Sequence, residues 1–258
     1  MNPTVGLPAF LYPLSLHPDV KAFSTLRAGG VSKGEYGSFN VCHYTGDNMA
    51  DVQANRTRLA EYLGVSPERI VLPRQTHSVE VRFLEDVPAP GTLDGVDAVI
   101  TNQSRLCIGV STADCIPILL YDSKNHIVAA VHAGWRGTVG RILERTLQQM
   151  QTLFGTLSSE LFAAIGPGIG LDAYEVGDEL PQQFAAAGFP MQWIARRIGK
   201  RWHLDLPEAN RQELLRLGIP RNQIHSCGLC TYANNARFFS ARRQGIGSGR
   251  IYTAVMMP

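Results

Sequence analysis

Three residues carry the side chains that bind metals or attack electrophilic carbon: His77 in "PRQTHSVEV", Cys115 in "STADCIPILLYD" and His132 in "VAAVHAGWRGT". Each stands at the mouth or end of an apolar run that reads as a strand, and a hairpin turning near 122–126 could set Cys115 beside His132. Two histidines and a cysteine are a sound three-ligand set for zinc, with the fourth position left open for water or substrate. Asp114, next to Cys115, could be the carboxylate that orients a ligating imidazole. Without a metal, the same residues read as a thiolate nucleophile, Cys115, served by His132 as base. The plain account is a small buried cysteine and ordinary histidines. Spacing leaves all three accounts standing.

The turn after His132 adds an anion-binding pattern. Gly134 and Gly137 allow close backbone approach, Thr138 can N-cap a helix, and Arg136 stands before the unpaired amides of its first turn. The alternative is a tight strand-to-helix turn with Arg136 packed on Trp135 or turned to solvent. The loop "TLRAGGVSKGEYGSFN" (25–40) opens with Arg27 and closes with Asn40, but it lacks the spacing of a P-loop or dinucleotide fingerprint. "AIGPGIG" (164–170), followed by Tyr174 and Glu175, has the same ambiguity. Cys227 and Cys230 form a lone C-x-x-C, a poor structural zinc site without a second pair. A zinc nucleobase deaminase would need H-x-E, and Gly134 stands where that glutamate belongs.

The elements that must position these residues follow from periodicity. Strands are expected at 79–83, 98–101, 107–111, 116–121, 127–132 and 161–166, with a later group near 192–204 and 251–256; "YDSKNH" reads as a hairpin turn. Helices are expected at 51–64, 139–154 and 206–218, the second with Ile142, Leu143, Leu147 and Met150 on one stripe. Consecutive strands joined by turns, with a helix after only some of them, favour α+β over a βαβ repeat.

Composition bounds the rest. In 258 residues with 45% hydrophobic content a substantial core can form, and with no repeat or linker the chain reads as one domain, 1–258, in which 1–21 is an N-terminal extension or edge segment. A net charge of +2 implies neither a nucleic-acid nor a membrane surface in bulk, so any anion site must be local. The cluster "ARRIGKRW" (195–202) is most economically a solvated face. Prolines at 8, 13 and 18 break the N-terminal apolar stretch, which reads as neither signal peptide nor spanning helix. Five cysteines, an odd number, point to a reducing compartment, and the chain is expected to be cytoplasmic.

The ordered segments "GGVSKGEYGSFN", "GDN", "NRTRL", "QTHSVEV", "TADCIPILLYD", "VAAVHAGWRGT", "IGPGIG", "YEVG" and "CTYANNARFFSARR" resemble the YfiH family, also called the multicopper polyphenol oxidase or laccase-domain family. The resemblance runs from about residue 22 to the C-terminus, and "TADC" followed by "HAGWRG" is specific to it. It implies an α/β/β/α layered, cysteine-hydrolase-like fold and zinc held by His77, Cys115 and His132. It further implies purine nucleoside phosphorolysis, on adenosine, inosine, guanosine and methylthioadenosine, together with adenosine deamination. Arg27, Asn40, Gln75 and Arg136 are the substrate-binding candidates, with phosphate and nucleoside as the small-molecule partners of a monomer or homodimer. Two departures from the pattern bear on substrate preference: Tyr44 stands where relatives commonly carry histidine, and Leu26 precedes the arginine of the "TLRAGG" segment.

Ligand chemistry separates the competing activities. A blue-copper plus trinuclear oxidase needs many histidines, commonly as H-x-H pairs; this chain has seven histidines and no such pair, though copper could occupy a zinc site adventitiously. Two further readings remain: a metal-independent Cys-His hydrolase or amidase, acting for instance on a peptidoglycan precursor, and a non-catalytic nucleoside-binding module.

Overall fold

A computed structural model describes residues 7–258. Among these residues fourteen strands fall into three sheets. The first contains β1 (Leu11–Pro13), β2 (Lys21–Thr25), β3 (Ile70–Val71), β6 (Cys107–Thr112) and β14 (Ile251–Met256), in the order β1-β2-β14-β6-β3. The second contains β4 (Val81–Leu84), β5 (Ala98–Thr101), β7 (Ile116–Asp122), β8 (Ile127–Ala133), β9 (Leu161–Ile165) and β13 (Ile224–Ser226), in the order β13-β9-β7-β8-β5-β4. A small third sheet orders β10 (Glu175–Val176), β12 (Arg201–Leu204) and β11 (Ala195–Ile198). The pairs β3–β6, β4–β5 and β13–β9 are parallel and the others antiparallel, so the fold is α+β with mixed sheets.

Strand alternation decides what each face buries. In β7 and β8, Leu119, Tyr121, Val128 and Ala130 meet Ile108, Val110 and Val255 of the first sheet. Their neighbours Ile118, Leu120, Ala129 and Val131 face the opposite way. Seven α-helices are found among the described residues: α1 (Met49–Leu63), α2 (Trp135–Val139), α3 (Ile142–Phe154), α4 (Glu179–Ala186), α5 (Met191–Ile194), α6 (Leu206–Arg216) and α7 (Ala241–Gln244). Ile142, Leu143, Leu147 and Met150 of α3, with Leu206, Ala209 and Leu214 of α6, cover the outer face of the second sheet. Leu59, Ala60 and Leu63 of α1 lie against Phe23, Tyr252 and Ala254 of the first. Each such fully buried Leu, Ile or Met contributes roughly 1.5–3 kcal/mol.

Local chemistry explains the element ends. Asn48 caps α1 by accepting from the main-chain N–H groups of Ala50 and Asp51, and Gly64 closes it in the left-handed region, φ 72°. In the β7–β8 turn, Asp122 Oδ1 accepts from the N–H groups of Lys124 and Asn125, both at 3.0 Å.

Two expectations at the central turn are corrected. The helix over 139–154 is two helices, α2 and α3, separated at Gly140 and at Arg141, whose φ is 63°. A Cβ at Gly140 would stand 2.7 Å from Val79, and Arg141 is pulled aside to pair with Glu213 and the Ala187 carbonyl while lying 4.0 Å over the Phe189 ring. Thr138 does not cap the helix; Gly134 occupies that position, and Thr138, buried inside α2, donates to the Gly134 carbonyl at 3.0 Å. The apolar group near 192–204 is partly helical: α5 leads into the β11–β12 hairpin.

Candidate metal centre

Three neighbouring strand pairings deliver the reactive residues to one end of the second sheet. In the β7–β8 ladder Ile116 faces Ala133 and Pro117 faces His132, so Cys115, one residue before β7, lies beside the end of β8. In the β5–β8 ladder Ala98 faces Val131, which sets Asp97 next to His132. Strand β4 pairs with β5, and the loop just before β4 carries His77.

The ligand atoms of His77, Cys115 and His132 lie within 4.8 Å of one another. Cys115 Sγ is 3.6 Å from His77 Nε2, and the two imidazoles meet edge-on with centroids 4.8 Å apart. His132 is buried, Cys115 half-buried and His77 exposed, so the cluster is open on one side. Gly134 makes the convergence possible, because a Cβ there would fall 2.8 Å from His77 Cδ2 and 3.0 Å from Cys115 Sγ.

The organising residue is one that sequence reasoning missed. Asp97, fully buried, accepts from the main-chain N–H groups of Thr76, His77 and Ser78 and from the Ser78 hydroxyl, all between 2.7 and 3.0 Å. Its Oδ1 is also 2.6 Å from His132 Nδ1. It therefore holds the His77 loop, including the left-handed backbone of His77 at φ 62°, and leaves His132 Nε2 for the cluster. Asp114, nominated for that role, is instead a clamp between segments. It accepts from the Thr231 hydroxyl at 2.6 Å and the Arg242 main-chain N–H at 2.7 Å, with its own φ at 90°.

Electrostatics follow from this packing. Burial opposes ionisation of Cys115, but the charge of His132 and hydrogen bonds from His132 and His77 outweigh it and lower the thiol to about 6. Burial likewise disfavours the His132 imidazolium, yet Cys115 and Asp97 raise it to about 9. Burial raises the Asp97 carboxyl, and the His132 hydrogen bond and charge, with the loop donors, bring it below the usual carboxylate range.

The other nominated residues are distributed differently. Arg27 donates to the carbonyls of Gly37 at 3.2 Å and Asn235 at 2.7 Å and lies over Phe239. Asn40, wholly buried, bonds Asp47, Thr45 and Cys42 and accepts from the Arg250 N–H. Gln75 clasps the main chain of Ser111 through both ends of its amide. These three are each bonded to protein partners. Arg136 is exposed at the start of α2, its guanidinium 4.2 Å over the Trp135 ring. Cys230 accepts from the Gly170 N–H at 3.2 Å, and all five cysteines are free.

The donors suit a metal: a thiolate and two imidazoles favour zinc or another borderline ion, with one carboxylate-oriented histidine. Among the described residues this is the one such His/Cys/Asp/Glu group, whereas a multicopper oxidase requires several. The family described as multi-copper polyphenol oxidoreductase laccase matches residues 21–258. The chain belongs to this family. Its YfiH-like fold is similar to a solved YfiH protein of Bacillus licheniformis, with TM-score 0.88, 28% identity and 93% of each chain covered. YlmD from Geobacillus stearothermophilus superposes with TM-score 0.87 at 32% identity, over 98% of this chain and 94% of that one. Among curated relatives of this laccase-family chain, a purine nucleoside phosphorylase of Bacteroides thetaiotaomicron is 43% identical over 95% of this chain and 94% of its own. A protein named adenosine deaminase RL5, from an unknown prokaryotic organism, is 42% identical over 92% and 93%. Names of this kind support an enzyme of nucleoside chemistry. No helix among the described residues is long and apolar enough to cross a membrane.

Proposed function

We propose that this chain is a zinc-dependent purine nucleoside enzyme that phosphorolyses adenosine, inosine, guanosine and methylthioadenosine and deaminates adenosine. The observation that carries the reading is the His77–Cys115–His132 cluster, preorganised by Asp97 and left open on one side. The names of the relatives supply the substrate class. His77, Cys115 and His132 hold the ion, and bound zinc supplies Lewis acidity at the position they leave open.

In phosphorolysis a phosphate oxygen bonds to C1′ as the C1′–N9 bond breaks; the purine leaves with the bonding electrons and takes the proton that hydrogen phosphate gives up. In deamination water adds its oxygen at C6 and ammonia departs. Asp97 holds the His132 imidazole in one orientation throughout, so no reorganisation accompanies the reaction. The same reading takes 1–258 as one layered α/β/β/α, cysteine-hydrolase-like unit, acting in the cytoplasm as a monomer or homodimer.

The test is incubation of purified protein with adenosine and phosphate, with and without chelator, followed by separation of adenine, inosine and hypoxanthine. Adenine reports phosphorolysis and inosine deamination; chelation is expected to remove both. A second reading has a specific observation behind it: Cys115 bonded to His132, whose other ring nitrogen is tied to Asp97, is also the geometry of a Cys-His-Asp hydrolase. Activity that survives chelation but not thiol alkylation selects that reading.

A further inference from the structure

The proposed phosphorolysis needs a site for a dianion, and the sequence nominated Arg27 and Arg136 for it. Arg27 is half-buried and held by protein carbonyls, with Nε donating to Gly37 and Nη1 to Asn235. The helix start cannot replace it, since α2 spans only Trp135–Val139. A different arginine stands by the cluster. Arg242 reaches Cys115's turn through its main chain, whose N–H donates to Asp114 Oδ2 at 2.7 Å. Its side chain is exposed and lies 5.4 Å over the Tyr174 ring, with Nη1 donating to the Glu175 carbonyl at 3.0 Å. That contact fixes the guanidinium and occupies one of its five N–H donors.

Tyr174 connects the two sides. Its ring packs with Trp135 against the core of the second sheet, and its hydroxyl feels the charges of Cys115, Arg242, Arg136 and Asp114 together. Arg136 in turn is two residues beyond Gly134, where a Cβ would meet the Cys115 sulfur and the His77 ring. Arg242 thus lies over Tyr174 and Arg136 over Trp135, both guanidiniums exposed, and the charges of both reach the Tyr174 hydroxyl.

We propose that Arg242, Tyr174 and Arg136 form the phosphate site of this enzyme, holding inorganic phosphate beside the His77–Cys115–His132 cluster. The inference rests on the phosphorolysis reading above. Guanidinium forks match phosphate oxygens in pairs, and stacking on Tyr174 and Trp135 reduces the side-chain freedom lost on binding. Burial raises Tyr174 to about 12, with the charge of Cys115 adding to it, so the phenol keeps its proton near neutral pH and donates to a phosphate oxygen.

Two measurements on the zinc-loaded protein test it. In steady-state phosphorolysis, Arg242→Gln and Arg136→Gln are each expected to raise KM for phosphate about tenfold or more, the scale of one lost charge-assisted pair, with KM for the nucleoside little changed. Tyr174→Phe is expected to raise it less. Arg243→Gln removes a neighbouring charge that stacks on Tyr232 instead, and it should leave KM for phosphate unchanged. Equal weakening by Arg242→Gln and Arg243→Gln, or an unchanged KM in Arg242→Gln, overturns the proposal. Binding of inorganic phosphate alone, followed by phosphorus NMR, separates this site from the reading it rests on. Binding that Arg242→Gln abolishes, without phosphorolysis by the wild type, sinks the activity and upholds the site; phosphorolysis with undiminished phosphate binding in Arg242→Gln does the reverse. If Arg242→Gln fails to fold, Arg242→Lys, which keeps the charge but loses the fork, takes its place with a smaller expected rise in KM, and an unchanged KM there also overturns it.

Discussion

Two glycine-rich stretches of this chain look alike on paper: "TLRAGG" leading to Asn40, and "HAGWRGT". Each sets an arginine among small residues, yet they fold to opposite ends. The first closes on itself. A Cβ at Gly30 would fall 2.0 Å from the Ser38 carbonyl oxygen, Arg27 caps the Gly37 and Asn235 carbonyls, and buried Asn55 threads the loop with bonds to Val31, Ser32, Ser38 and Asn40. The second stays open: Gly134 gives its space to His77 and Cys115, and Arg136 meets an aromatic face rather than a carbonyl. Glycine plus arginine is therefore no ligand signal by itself. What differs is how the guanidinium is held: Arg27 by two carbonyls, Arg136 by an aromatic face.

Breaking the open stretch should have the largest effects. Cys115→Ala or His132→Ala is expected to abolish bound zinc, by elemental analysis, and to cut both activities on the order of a thousandfold or more; full activity in a metal-free Cys115→Ala protein would sink the proposed mechanism. Asp97→Asn comes next. An amide cannot accept on all sides from the loop donors and His132, so metal affinity should fall about 10- to 100-fold and stability by about 2–3 kcal/mol, read by metal titration and denaturant unfolding. The sign of its pH dependence is fixed: the folded carboxyl titrates below the unfolded one, so its contribution is present above the usual carboxylate range and disappears as pH falls through the folded value. Acid unfolding of Asp97→Asn should accordingly be flatter than that of the parent.

Thiol chemistry sharpens the contrast without mutation. In protein stripped of metal, Cys115 should alkylate with a midpoint at about 6 and lose reactivity as pH drops through it, while burial pushes Cys42 and Cys227 upward. Peptide mapping after iodoacetamide treatment checks the order. The closed stretch should answer only in stability. Asn55→Ala strands several buried partners and should cost about 2–4 kcal/mol, with kcat/KM per folded molecule unchanged. Arg27→Lys, which loses the fork but keeps the charge, should cost about 1 kcal/mol and leave phosphate KM where it was; a marked rise would restore Arg27 to the site.

His77, Cys115 and His132 were legible because each sits where an apolar run meets a turn, and runs of that kind announce strand ends. Their convergence was legible only in part. Cys115 and His132 belong to one hairpin, but Asp97 reaches His132 through the β5–β8 ladder, a pairing between strands separated by β6 and β7 that no local spacing encodes. Asp114 drew the carboxylate role by adjacency to Cys115, when the neighbour that mattered was across the sheet. Thr138 was misjudged for a similar reason: cap preference named it, while the space Gly134 must leave for His77 and Cys115 set the helix start earlier. Arg242 carried no signal that distinguished it from Arg243; the Asp114 bond to its main chain sets it by the Cys115 turn.

Three of the five bonds that Asp97 receives come from main-chain N–H groups rather than side chains. The shape of the His77 loop is thereby separated from most of its own sequence: positions 76 and 78 can be exchanged and the three amides still point at the same carboxylate. Variation can accumulate in that loop, next to where substrate must enter, without moving the histidine. The freedom ends at residue 97, where one altered side chain would disturb both imidazoles at once.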